Sequence, residues 1–247
     1  MATSGRIQVS ASTWRQPTPP EPSAKRAAVL DRVTERILAF GPRRVRVAID
    51  GRTAAGKTSL GHELARRVAD AGRVVLRASL DDFKRPWNES HLYDRLSGEG
   101  YYRNAFDIAA VRQLLLDPAA PGGLGRVALC SIDPLTQINH SETRVDMPAD
   151  GVLIVDGVFA CRPQLNECWD LRIWLDIDPT LSVRRGTTRD ADIEGGAEHA
   201  EALHRERYLA AETIYIDEVN PMTVAEVVIG NTGFDRPDLL RPYGAGP

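Results

Sequence analysis

The sequence predicts an α/β protein with a mainly parallel sheet covered by helices on both faces. Three observations carry this. Apolar runs such as "VLIVD" (152–156) and "LRIWLDI" (171–177) lack the alternation of half-exposed strands and suit strands buried on both sides. Such runs alternate with helical segments, the pattern of strands joined in parallel by crossover helices. A chain of 247 residues, 43% hydrophobic and 26% charged, is long enough for one substantial core.

The elements run in this order. Residues 1–24, with "QPTPPEPS" (16–23), read as a disordered or loosely docked tail, leaving 25–247 as a single domain. Val29, Leu30, Val33, Ile37 and Leu38 fall at helical spacing, and Gly41-Pro42 stops that helix. "RRVRVAID" (43–50) reads as a strand, 56–72 as an amphipathic helix ended by Gly72, and "RVVLRASL" (73–80) as the next strand. Residues 84–105 have no clean period and read as loop with one helical turn at most; 106–118 read as helix. "RVALCSID" (126–133) and "TRVDMP" (143–148) suggest a short hairpin-like excursion. After the two buried strands, Pro179 opens a helix, 199–219 form a long helical segment, and "AEVVIGNT" (225–232) is the last strand before a Gly/Pro-rich end.

Composition narrows the function classes. A net charge of −3 argues against a general nucleic-acid binder. No run of 18 apolar residues suggests a membrane span, and the N-terminus lacks an apolar leader core. Three cysteines without a CxxC pair suit packed, reduced thiols and a cytoplasmic protein. A homo-oligomer is left open.

The segment "VAIDGRTAAGKTSLG" (47–61) carries the chemistry. It fits G-x-x-x-x-G-K-[ST] at Gly51, Gly56, Lys57 and Thr58, between a strand and a helix. Glycines let backbone N–H groups approach a polyphosphate, and the helix start adds donors and a positive dipole end. Gly51, Ala54, Ala55, Gly56, Lys57, Thr58 and Ser59 are therefore assigned to the polyphosphate of a bound nucleotide. Thr58 can also ligate Mg²⁺. Lys57 is one of three lysines in a chain with 28 arginines. Asp156 ends a buried strand, where a carboxylate can hold the metal or its water, or simply serve the turn before Gly157.

On the acceptor side, "SLDDF" (79–83) brings Asp81 and Asp82 to a strand end. One can orient or deprotonate an attacking hydroxyl, and the other can cap the next segment. Arg185 and Arg189 share a helix face and either meet a transferring phosphoryl group or lie in solvent. Trp87, Tyr93, Tyr101 and Tyr102 are either hydrophobic plugs or a stacking wall for an acceptor ring, and Arg103 can hold an acidic acceptor group. His62, His199 and His204 read as packing or solvated residues.

The ordered set "DGRTAAGKTSLG" (50–61), "SLDDF", "NAFD" (104–107), "LIVDGVF" (153–159), "DLRIWLDIDPTLSVRRGTTRD" (170–190) and "AEVVIGNT" resembles the uridine kinase/phosphoribulokinase-like branch of P-loop kinases. The resemblance spans roughly residues 43–231. It implies a three-layer αβα P-loop NTPase fold with a five-stranded parallel sheet and a helical lid near 183–206. It implies transfer from ATP, with Mg²⁺, to a small-molecule hydroxyl acceptor. It puts Asp81 at the acceptor carboxylate, Lys84 beside it, Arg185 and Arg189 at the start of the lid, and Asn231 near the adenine. Asp82, Lys84, Tyr101, Tyr102, Arg103 and Asp133 fall on the acceptor side. Three positions depart from the branch: Asp156-Gly157 replaces Glu-Gly, Tyr101 stands where uridine kinases carry an aspartate for the ribose diol, and "IEGGAEH" (193–199) replaces the distal lid arginines. The expectation is a nucleoside-like acceptor. The alternatives are a pantothenate-, nicotinamide riboside- or sugar-type acceptor, or a nucleotide-binding protein without transfer.

Overall fold

The computed structural model describes residues 7–92, 94 and 96–241. Its strands are β1 (Ile7–Val9), β2 (Val45–Gly51), β3 (Val75–Ser79), β4 (Arg126–Val127), β5 (Val145–Asp146), β6 (Val152–Asp156), β7 (Leu171–Asp176), β8 (Val227–Gly230) and β9 (Asp238–Arg241). The helices are α1 (Ala24–Leu38), α2 (Lys57–Asp70), α3 (Gly98–Asn104), α4 (Ile108–Ala110), α5 (Pro163–Asn166), α6 (Pro179–Asp190), α7 (Ala197–Leu203), α8 (Ala210–Val219) and α9 (Pro221–Val224). A π-helical stretch, Val111–Leu116, continues α4, and another, His204–Leu209, joins α7 to α8.

Seven strands form one sheet in the order β1-β3-β6-β2-β7-β8-β9. All neighbours run parallel except β8 and β9. β2 lies between β6 and β7, so the chain leaving its carboxyl end emerges mid-sheet, where ligands of open α/β sheets gather. Ile49 on β2 and Ser79 on β3 both register with Asp156 on β6. The loops after three strands therefore open at one level of one edge. β4 and β5 form a separate antiparallel ribbon.

Each face has its own apolar layer. On one, Val29, Leu30 and Ile37 of α1 and Leu60, Leu64 and Val68 of α2 pack on Val47, Ile49, Ile154 and Ile173. On the other, Leu76, Leu153, Val155 and Trp174 meet Phe83, Phe106, Phe159 and Tyr215. Each large side chain so buried contributes about 1.5–3 kcal/mol. A buried ion pair crosses the first layer: Arg26 Nε donates to Glu63 Oε1 (2.7 Å), and Arg26 Nη2 to Glu63 Oε2 (2.5 Å).

Three expectations change. The tail predicted over 1–24 is ordered from residue 7: β1 pairs with the free edge of β3, and Thr13 binds the buried Asp133 through its N–H (2.5 Å) and Oγ1 (3.1 Å). Residues 1–6 lie outside the described residues. The prolines of "PTPP" have no N–H to give to a ladder and hold an extended path, so the segment after β1 lies along the surface instead of folding. The sheet has seven strands, not five, because β1 and β9 flank the five parallel ones. Residues 98–104, expected as loop, are α3, capped by Ser97 Oγ on Gly100 N (2.9 Å). Glycines at 98 and 100 hide this helix from a propensity reading; an added Cβ on Gly98 would lie 2.6 Å from Ala210 Cβ, so the glycine admits close packing on α8.

Candidate active site

The strand-turn-helix β2–α2 builds an anion cradle. Gly51 needs no side chain because an added Cβ would sit 2.6 Å from Leu175 O. Gly56 adopts φ +94°, and an added Cβ there would lie 2.8 Å from Asn231 Nδ2. Lys57 is 9% exposed, and its ammonium donates to the loop carbonyls of Gly51 (3.0 Å) and Arg52 (2.8 Å). Burial lowers its pKa, against the pull of Glu212, Asp50, Asp156 and Asp81. The loop is held from outside by groups the sequence did not flag. Glu212 accepts from Thr53 N (2.6 Å), Ser182 Oγ donates to Thr53 O (2.7 Å), and Asp50 accepts from Gly51 N (2.7 Å) and Tyr215 OH (2.5 Å).

Thr58 Oγ1 donates to Asp156 Oδ2 at 2.6 Å, so the two oxygens that sequence assigned to magnesium are neighbours. Hydroxyl and carboxylate are the hard ligands the ion takes, and its remaining positions suit water and phosphate oxygens. The other oxygen, Asp156 Oδ1, accepts from Arg77 Nη2 at 2.6 Å, with both side chains 4% exposed. Arg77 thus fixes the carboxylate's direction. Its place inside a predicted strand gave no hint of this.

Asp81 and Asp82 diverge because both lie in a 3₁₀ turn, Leu80–Phe83, whose successive side chains point about 120° apart. Asp81 faces the cavity and pairs with Lys84 Nζ at 2.8 Å. Burial opposes its ionisation, but Lys84, Lys57 and Arg189 outweigh it and hold the carboxyl below its ordinary range. Asp82 is buried on the opposite side, away from the cavity lining. Burial pushes its pKa up to about 7, opposed by the hydroxyls of Ser10 and Ser12 and helped by Asp81 and Asp156.

The two arginines that the resemblance put in a lid, both on α6, also part. Arg189 lines the cavity, feels Asp81, and is clamped by Asp190 through paired bonds of 2.7 and 2.8 Å. Asp190 in turn contacts His204 Nε2 at 2.9 Å. His204, expected in solvent, is 1% exposed: Gly186 leaves room for its ring, since an added Cβ would lie 2.1 Å away. Arg185 turns toward the end of β8, donating to the carbonyls of Asn231 (3.2 Å) and Thr232 (2.7 Å).

A cavity of about 640 Å³ joins these groups. Thr53, Ala54, Gly56, Lys57, Thr58, Ser59 and Asp156 line one part; Asp81, Lys84, Trp87, Tyr101, Arg207 and Tyr208 line another. Trp14 and Gln16–Pro20 of the N-terminal segment border it too.

Several expected residues lie elsewhere. Asn231 is buried against the cradle, its amide donating to Ala55 O (2.7 Å), and Phe234 takes the cavity-facing place at that end. Tyr102 packs against Phe159 and Tyr215 as a plug. Arg103 bonds Glu218 and Glu99 on the exposed side of α3. Asp133 spends its oxygens on Thr13, Leu135 and Thr136, so it staples the N-terminal segment and stands outside the cavity lining. Tyr93 lies outside the described residues.

The three-layer arrangement with this loop after its central strand is the P-loop kinase fold. No family model matches the chain. A uridine kinase of Staphylococcus carnosus is 27% identical over 150 residues, covering 60% of this chain and 69% of its own length. Among solved structures, a possible uridine kinase from Bacillus stearothermophilus superposes with TM-score 0.62 at 20% identity, covering 82% of this chain and 97% of its own. A candidate fructose transport system kinase from Silicibacter sp. TM1040 gives TM-score 0.64 at 22% identity, covering 77% and 93%. The resemblance to the uridine kinase/phosphoribulokinase-like branch, drawn from the motifs, thus recurs in sequence comparison, and the solved structures share the fold. Among the described residues, no helix is long and apolar enough to cross a membrane.

Proposed function

We propose that the chain is an ATP-dependent small-molecule kinase that moves a γ-phosphoryl group to an acceptor hydroxyl. The observation that carries this is the meeting of Lys57, Asp81 and Arg189 in one cavity floored by the glycine loop, with Thr58 and Asp156 in contact beside them. A loop without a ligand would not need a buried ammonium whose partners are its own carbonyls.

In this reading the loop N–H groups and Lys57 hold the phosphates. Asp81 accepts a hydrogen bond from the acceptor hydroxyl and takes its proton as the oxygen attacks the γ-phosphorus. The bond from that phosphorus to the bridging oxygen breaks, and ADP leaves with the electron pair. Because Asp81 is a weak base, it orients the hydroxyl first and receives the proton late. Arg189, fixed by Asp190, offsets charge on the transferring group. Magnesium held at Thr58 and Asp156 would neutralise phosphate oxygens when bound. Three buried, unpaired cysteines suit a reducing compartment, and we place the enzyme in the cytoplasm.

Nucleosides are the first acceptors to test, on the likeness to a protein named uridine kinase. A second reading, another acceptor on the same fold, is favoured by Tyr101: a buried phenol at the acceptor wall cannot accept a ribose diol as a carboxylate does. An ADP-coupled assay with Mg·ATP and a panel of nucleosides, sugars and vitamins tests the reading. Acceptor-dependent ADP release supports it; ATP binding without release under any acceptor would leave a nucleotide-binding protein instead.

A further inference from the structure

We infer that the acceptor carries an anionic group, a carboxylate or phosphate monoester, and that Arg207 with Lys84 reads it. The inference rests on the kinase reading above and names its acceptor class.

Six cations line the cavity: Lys57, Lys84, Arg85, Arg185, Arg189 and Arg207. Five have evident work. Lys57 belongs to the cradle, Lys84 pairs with Asp81, Arg85 lies 3.7 Å from Glu89, Arg189 is clamped by Asp190, and Arg185 binds two backbone carbonyls. Arg207 differs. Among the described residues it has no carboxylate partner, and its Nε is buried without a hydrogen bond. Its guanidinium lies 4.7 Å from the centre of the Tyr101 ring and 5.5 Å from that of Tyr208. Ring faces stabilise the cation without using its N–H donors.

Lys84 Nζ stands 5.8 Å from the centre of the same Tyr101 ring. Two cations therefore lie 4.7 and 5.8 Å from the centre of one ring, and one of them also touches the carboxylate assigned to the acceptor hydroxyl. The π-helical stretch His204–Leu209 brings consecutive residues, Arg207 and Tyr208, to one cavity. Such widened turns recur at functional sites. A neutral polyol accepts hydrogen bonds but leaves the guanidinium charge unmatched, whereas an anion meets the terminal nitrogens in a charge-assisted, two-pronged contact for which guanidinium is shaped. The wall is thus built to hold a hydroxyl at Asp81 and an anion near Tyr101 in the same molecule.

The test compares matched acceptors in the ADP-coupled assay on the full chain: D-glycerate with glycerol, pantothenate with pantothenyl alcohol, and fructose 6-phosphate with fructose, plus uridine. Release with an acidic member and not its neutral partner is expected, and the pairs tell carboxylate from phosphate. Arg207→Ala should raise KM for that acceptor by about tenfold or more and leave KM for ATP within about twofold. Arg207→Lys should recover part of the loss, which a merely structural role would not produce. Turnover of neutral acceptors alone, release with no acceptor while Mg·ATP still binds, or an equal loss of kcat for every acceptor overturns the acidic-acceptor inference. Failure to bind Mg·ATP overturns the kinase reading itself.

Discussion

At the donor end of the cavity, every residue from Thr53 to Ser59 that lines the wall comes from one unbroken strand-turn-helix. At the acceptor end, Trp14, Asp81, Tyr101, Gln137 and Arg207 come from five separated segments. In the proposed kinase the donor end would work through backbone N–H groups, which any sequence with the right glycines presents. The acceptor end would work through side chains, whose placement depends on the packing of β1, α3 and the α7–α8 run. The contrast teaches that the proposed nucleotide site is locally encoded and hard to alter without loss, whereas the proposed acceptor wall can change while the glycine loop stays.

Substitutions at each end should therefore fail differently. The largest effect is expected at the carboxylate between them. Asp81→Asn should lower kcat by about 10²–10⁴-fold while KM for ATP holds, measured by steady-state kinetics. A parallel rise in KM for ATP would place Asp81 at the donor end and blur the division. Lys57→Ala should lower kcat by about 10²–10³-fold with every acceptor and leave circular dichroism unchanged. Activity lost with only some acceptors would break the comparison.

A third effect concerns the scaffold both ends share. Glu63→Ala strips the partner from buried Arg26, whose Nη1 also reaches Asn231 Oδ1 (3.3 Å) behind the cradle. Denaturant unfolding should show a loss of about 3–5 kcal/mol. Retained stability with retained activity would mean that α1 is not part of the donor frame.

The fourth is a pH effect beneath the acceptor wall. The Asp82 pKa is raised from the ordinary 3.8 to about 7 in the folded chain. Between those values the folded state holds a proton that the unfolded chain has released, so this group's contribution to stability falls as pH rises from about 4 to about 7. Asp82→Asn should remove that part of the slope. Urea melts at pH 5 and pH 7.5 should differ less in the variant than in the parent; an unchanged difference contradicts the burial of this carboxyl.

The same division decides what the sequence could reveal. The buried strands and the placing of Gly51–Thr58 and Asp156 at one sheet edge were legible because they depend on neighbours one to five residues away. A strand end delivered Asp81 and Asp82 together, and the resemblance chose the one that faces the cavity. The roles of Arg77, Glu212 and His204 were not, because each acts on a group far along the chain: Asp156, Thr53 and Asp190. Asn231 and Asp133 were assigned to ligands by the family resemblance; here they spend their hydrogen bonds on Ala55 and Thr13. β1 and β9 escaped notice because short edge strands need only a partner edge, which pattern alone does not disclose.

The smallest expected effect sits where the N-terminal segment meets the acceptor wall. Thr13→Val removes the hydroxyl's bond to Asp133 and leaves the backbone bond. Limited proteolysis should cut before residue 20 slightly faster, with kinetics for ATP unchanged.

The most direct measurement is calorimetric titration of Mg·ATP into the full chain and its Lys57→Ala variant. The account predicts saturable association with the parent and a clear weakening in the variant, since the Lys57 ammonium is the side-chain charge of the glycine loop that lines the cavity, Arg52 being turned to Glu212. No saturable heat with the parent, or equal affinity in both, would contradict it.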